Sequence, residues 1–250
     1  MFERLNDPVQ SGWLLVLLLL WAVFLFGGFL FGTPDARNEH RMPTWTRMAS
    51  SLILVVAGWS WLLFTRQMVP STFSLLIAIG MTLGFVGDLF LARLLPILRE
   101  PVLGGIGAFG LGHVAYIAAL LSFGDQAGLN AAGPRWIGWL VWLLIGAAAW
   151  YLVVFRGGKP TSLHWMALPY ALLLASTAGF ATGLAMQSLA FIPLAIGGAL
   201  FLLSDLVLAA QLFNNRHFPL IGDVIWLTYG PAQMLIVYTA GSALLALARS

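Results

Sequence analysis

The chain contains no cysteine among its 250 residues, which excludes disulfides, thiol nucleophiles and thiolate metal sites. Charge is almost as scarce. Asp, Glu, Lys and Arg make up 8% of the sequence, against roughly 25% in a soluble domain, so a water-facing surface cannot be built from it. The 4 histidines form no HxxxH or similar pair, which gives a zinc hydrolase little to stand on. No metal or other cofactor is expected. No basic patch interleaved with aromatics is present either, so the net charge of +3 does not point to nucleic acid. No polar stretch is long enough for a soluble domain. Any function must therefore lie within, or at the mouth of, whatever the apolar residues build.

Hydrophobic residues account for 60% of the chain. A helix needs about 20 apolar residues to cross a hydrocarbon core of roughly 30 Å, and the charge-free intervals supply eight such segments. They are predicted at roughly 12–32, 48–65, 72–95, 102–123, 136–155, 165–186, 189–213 and 224–248. The sixth and seventh come from one run of 45 residues without Asp, Glu, Lys or Arg, broken at Gln187 and Ser188. The first is too long for a signal-peptide core and lacks a small-residue cleavage site after it, so it is read as a helix. Pro70, Pro96, Pro101, Pro134, Pro160 and Pro219 fall in the connections, where a missing backbone donor costs least. The expected fold is a single all-α membrane domain over 1–250 with eight transmembrane helices.

Loop charge orients the bundle. Arg37, Arg41, Arg47, Arg93, Arg99, Arg156, Lys159 and Arg216 follow helices one, three, five and seven, whereas Arg4, Arg66, Arg135 and Arg249 mark the other face. The positive-inside rule makes the first face cytoplasmic, with both termini outside. Trp13, Trp45, Trp136, Trp139, Trp165 and Trp226 lie near span ends and read as interfacial anchors.

A shift of 117 residues lays "LGFVGDLFLA" (83–92) over "LFLLSDLVLA" (200–209), so that Asp88 meets Asp205. The match suggests two parallel four-helix repeats, with halves 12–123 and 136–248, related by an axis along the membrane normal. Asp88 lies eight residues before Pro96 and Asp205 nine before Asn214, which places both about 12–14 Å below the same face at ~1.5 Å per residue. His113, in "FGLGHVAY", lies deeper on helix four, with Tyr116 one turn on. Helix eight supplies Tyr229 and Gln233, one turn apart, and Ser204 adjoins Asp205. The glycines of "GGIGAFGLG" (104–112) are expected to let helix four approach a neighbour, and Asp223 to cap helix eight. Ionised carboxyls in a bilayer are expensive and tend to mark function. Two in one interior can divide the roles of general acid and general base. Hydrogen bonding of each acid to a neighbouring helix is the structural alternative.

Four segments, "GFVGDLFLA" (84–92), "FGLGHVAY" (109–116), "FLLSDLVLA" (201–209) and "YGPAQMLI" (229–236), resemble in order and spacing the recurrent motifs of the lysoplasmalogenase family, the YhhN-like integral membrane proteins. The resemblance spans about residues 48–245; the first helix and the loop "TPDARNEHRMPTWTR" have no match, and Gly230 and Pro231 replace a bulkier residue after the tyrosine. It implies hydrolysis of the vinyl ether of a lysoplasmalogen, a lysophospholipid, to a fatty aldehyde and a glycerophospho-head group in a bacterial inner membrane. On that reading Asp88 and Asp205 are the acid–base pair. His113, Tyr116, Tyr229, Gln233 and Ser204 orient water or substrate, and Arg93 or Arg99 holds the phosphate, although a snorkelling role for Arg93 is the plainer one. Two other classes fit the same residues: a proton-coupled transporter using the aspartates as a relay, and a lipid-binding scaffold. Broken helices at matching places would favour the transporter, yet Pro169 and Pro193 face Leu52 and Leu76 across the shift.

Overall fold

The computed structural model describes residues 7–68, 70–97, 99–156 and 160–247. Eight helices are long and apolar enough to cross a membrane, and the protein is a multi-pass integral membrane protein. They are α1 (Pro8–Phe31), α2 (Thr44–Thr65), α3 (Ser71–Leu91), α4 (Pro101–Gln126), α5 (Ala132–Phe155), α6 (Ser162–Ala185), α7 (Leu189–Asn214) and α8 (Ile221–Leu247). Of the topological charges, Arg4, Lys159 and Arg249 lie outside the described residues. Pro101 opens α4 and Pro134 lies in the first turn of α5, where the missing N–H has no intrahelical partner to lose.

Sequential helices pair as hairpins, α3 with α4, α5 with α6 and α7 with α8, and α4 also packs on α6 and α8 on α2. Helices α6 and α8 are the most buried, while α1 and α5 lie at the periphery. Close approach between α3 and α4 depends on small residues, as the glycine run anticipated: a Cβ on Gly112 would lie 3.0 Å from the Gly80 carbonyl oxygen. Helices α1 and α5 each contain a π-helical turn near the same end, at Val23–Gly27 and Trp150–Phe155.

Helix α3 stops one turn earlier than its hydropathy predicts. The Arg93 N–H bonds the Phe90 carbonyl and the Leu94 N–H the Leu89 carbonyl, both at 2.9 Å. This is a Schellman cap with Arg93 at φ 59° in the position usually given to glycine. Asp88 is therefore in the last turn of its helix.

The loop between α1 and α2 is clamped to the start of α8. Asp223, fully buried, accepts from the backbone N–H groups of Arg41 (2.6 Å) and Met42 (3.0 Å). It does not cap α8, whose N-cap is Leu220 at φ 62°. The two loop donors claim the carboxylate, because they would otherwise be buried without an acceptor. Gly222 donates its N–H to the Glu39 carbonyl at 2.9 Å, and the His40 ring occupies the space a side chain at Gly222 would need.

Candidate active site at the aspartate pair

Asp88 and Asp205 line one cavity of about 370 Å³, within the roughly 300–1,000 Å³ of small-molecule sites. Its walls come from the halves of α2 to α8 nearest the face to which Arg47, Arg93 and Arg216 belong. Each acid takes a hydroxyl from another helix: Ser51 of α2 donates to Asp88 Oδ2, and Tyr170 of α6 donates to Asp205 Oδ2. Tyr229 of α8 adds a second donor to Asp88 Oδ2 at 3.1 Å. Asp88 is 4% exposed and Asp205 half-buried.

The cavity is chemically graded. On the Asp88 side, α2 and α8 contribute Thr44, Arg47 and Trp226, with His40 from the loop. From α5, α6 and α7 come Gly146, Ala149, Ala167, Ala171 and Ala209, with Trp150 and Phe213 packed against the same cluster and Gln211 of α7 the one side-chain amide in the lining. The α2 and α8 lining is thus cationic, and the α5–α7 lining is mostly small and apolar. The hydroxyl bonds fix the order, since Asp88 is tied to α2 and α8 and Asp205 to α6.

Several sequence-predicted residues stand behind this wall. Tyr116 donates to Gln233 Oε1 at 2.8 Å, and Gln233 Nε2 donates to the Tyr229 hydroxyl at 3.1 Å. Tyr116 and Gln233 thus reach Asp88 only through Tyr229, and neither lines the cavity. His113 is also off the wall, buried against Phe201 and Tyr170, with Nδ1 3.0 Å from Thr177 Oγ1 and Nε2 unpartnered. Ser204 lines the cavity, but its hydroxyl donates to the Ile225 carbonyl at 3.1 Å. Arg93 is on the rim and exposed, while Arg99 is exposed away from it. Trp226, read as an interfacial anchor, is instead buried in the cavity wall beneath the Arg47 guanidinium, 5.7 Å from the ring centroid. Trp45, Trp136 and Trp165 are exposed, as anchors should be.

Sequence reasoning missed Ser51, Tyr170 and the placement of Arg47. The first two sit in no recognisable motif, although each is a hydroxyl inside an apolar span. Arg47, a loop charge by sequence, lies on the first turn of α2. Among residues outside the spans, burial first and then the Arg47 charge hold His40 below its ordinary pKa of 6.5. Asp35 is shifted below 3.8: its slight burial acts upward and is outweighed by backbone hydrogen bonds from Glu39, His40 and Arg37. Among the described residues no group of three His, Cys, Asp or Glu could hold a metal ion. His164 caps α6 with Thr161, and His217 pairs with Glu39 at 3.3 Å.

A family model described as the YhhN family matches residues 42–240. No curated protein and no solved structure matches the chain. With the match covering well over half of its length, the chain belongs to the YhhN family.

Proposed function

We propose that the protein hydrolyses the vinyl ether of lysoplasmalogen, with Asp88 and Asp205 as the acid–base pair. The observation that carries this reading is that the two carboxyls, from helices 117 residues apart in register, open on one cavity with a cationic lining from α2 and a mostly small, apolar lining from α5–α7. Membership of the YhhN family, the family of lysoplasmalogenases, supports the same reaction.

The chemistry asks for little else. One carboxyl gives its proton to the β carbon of the vinyl ether, producing an oxocarbenium ion stabilised by the other, ionised carboxylate. Water adds at the α carbon while that carboxylate takes its proton, forming a hemiacetal. Collapse breaks the bond to the glycerol oxygen and releases a fatty aldehyde and a glycerophospho-alcohol. Two carboxyls divide labour in the same way in glycosidases, whose transition state is also oxocarbenium-like. Ser51, Tyr170 and Tyr229 hold the acids in place. The alkenyl chain lies in the apolar slot between α5, α6 and α7, and the membrane concerned is the bacterial inner membrane.

A proton-coupled transporter would use the same acids, but α6 runs through Pro169 and α7 begins at Leu189, just before Pro193, without a matched pair of breaks. The deciding experiment incubates purified protein with a lysoplasmalogen and, separately, with its saturated-ether analogue. Aldehyde from the vinyl ether alone is expected. A folded protein that releases none turns the reading to transport.

A further inference from the structure

We propose that Arg47, with Thr44 beside it, binds the phosphodiester of the lysolipid head group and so sets the vinyl ether against the two aspartates. The inference takes its substrate class from the hydrolase reading above.

Arg47 is a half-buried cation that lines the cavity and has no carboxylate within ion-pairing distance among the described residues. None of the groups that touch it is a carboxylate: Thr44 Oγ1 lies at 3.0 Å, the two His40 ring nitrogens at 3.4 Å and the face of Trp226 beneath it. Its Nε is buried without a hydrogen-bond partner. A guanidinium offers five N–H donors in a planar fork suited to bidentate phosphate binding, and the bond to Thr44 uses only one of the two N–H groups of Nη2. Asp223, the carboxylate nearest to hand in the same layer, is already engaged by the Arg41 and Met42 backbone. Burial and the Arg47 charge hold His40 below its ordinary pKa, and its ring brings no carboxylate into contact with the guanidinium.

Helix stability does not explain the residue. A cation on the first turn of a helix opposes the helix dipole. Geometry supplies a better reason. Arg47 and Ser51 are four residues apart on one face of α2, a rise of ~6 Å, and Ser51 bonds Asp88. The few covalent bonds of a glycerol arm, from phosphorus to the vinyl ether oxygen, cover a similar distance. Phosphate at Arg47 therefore places the ether oxygen at the level of Asp88 and sends the chain past Asp205 into the apolar slot.

The test measures binding of uncleavable ligands to the detergent-solubilised full chain, following tryptophan fluorescence. The ligands are a saturated 1-alkyl lysophosphatidylcholine, the matching 1-alkylglycerol without phosphate, and inorganic phosphate. Arg47→Gln should weaken the lysolipid about 10- to 100-fold and leave the alkylglycerol within twofold of wild type, which also shows that the variant is folded. Arg47→Lys, which keeps the charge without the fork, should fall between, and Arg66→Gln on the opposite face should match wild type. If Arg47→Gln binds the lysolipid like wild type, or loses both lipids equally, the inference is overturned. Inorganic phosphate binding as tightly as the lysolipid would assign the site to a free anion and overturn the lipid assignment. Because none of these ligands is cleaved, loss of phosphate-dependent binding stands even if no aldehyde is ever released, so the two readings fail separately.

Discussion

Tyr229 donates its hydroxyl to Asp88 at 3.1 Å, joining α8 to α3 at the cavity wall, and it accepts in turn from Gln233. Tyr229→Phe removes one of the two donors to Asp88 while keeping the ring packed between Phe109, Phe201 and Trp226. A hydrogen bond to a charged group contributes roughly 1.5–3 kcal/mol, so turnover should fall about 10- to 100-fold, and melting temperature should fall as well because Gln233 Nε2 loses its acceptor. Gln233→Leu should act on stability first. It strands the Tyr116 hydroxyl in the core, and a stranded buried group costs about 1–3 kcal/mol, read as a lower melting temperature.

The Asp223 carboxylate ties the loop that carries His40 to α8. Asp223→Ala leaves two buried N–H groups without an acceptor, each worth about 1–3 kcal/mol. A large fall in melting temperature is expected, and head-group affinity should fall with it because His40 loses its seat against Gly222.

Much of this was readable before the structure, and the reason is physical. A bilayer demands long uncharged runs, so the eight spans follow from length and hydropathy, and the paired aspartates stand out because apolar surroundings make them costly. Which residues face the cavity is another matter. Lipid-facing and core-facing positions are both apolar in a membrane, so nothing in "LPYALLL" marks Tyr170 and nothing in "MASSLIL" marks Ser51 as the donors to the two acids. Arg47 was concealed by its usefulness: as a charge beside a span it served the topology count, and only packing shows it turned inward over Trp226. Helix ends were the other loss. Arg93 ends α3 in a conformation that side chains disfavour, which no propensity anticipates.

The His40 ring gives a pH signature. Its folded pKa lies below 6.5, so the unfolded chain binds the proton first, and stability falls as pH drops below about 6.5. Melting temperature measured between pH 7.5 and 5 should decline in wild type and decline less in His40→Asn. Asp35, lowered by its backbone donors, adds a loss only below pH 3.8, outside that window. Equal slopes in the two proteins would remove His40 from the account.

Chain-length preference tests the apolar end. Ala171→Phe and Ala209→Phe each fill the slot between α5, α6 and α7. Each should raise KM for long alkenyl chains relative to short ones, at about 10- to 200-fold per methylene excluded, with kcat for the shortest chain retained. Uniform loss across chain lengths would place the chain elsewhere.

The most direct test of the central claim is aldehyde release from a lysoplasmalogen by Asp88→Asn, Asp205→Asn and the double variant, with folding checked by melting temperature. General acid–base catalysis contributes typically 10²–10⁴-fold, so each single variant should lose about that much. The double variant should lose little more than either, since the two act as a unit. Wild-type turnover in either folded variant would contradict the acid pair as the catalytic centre.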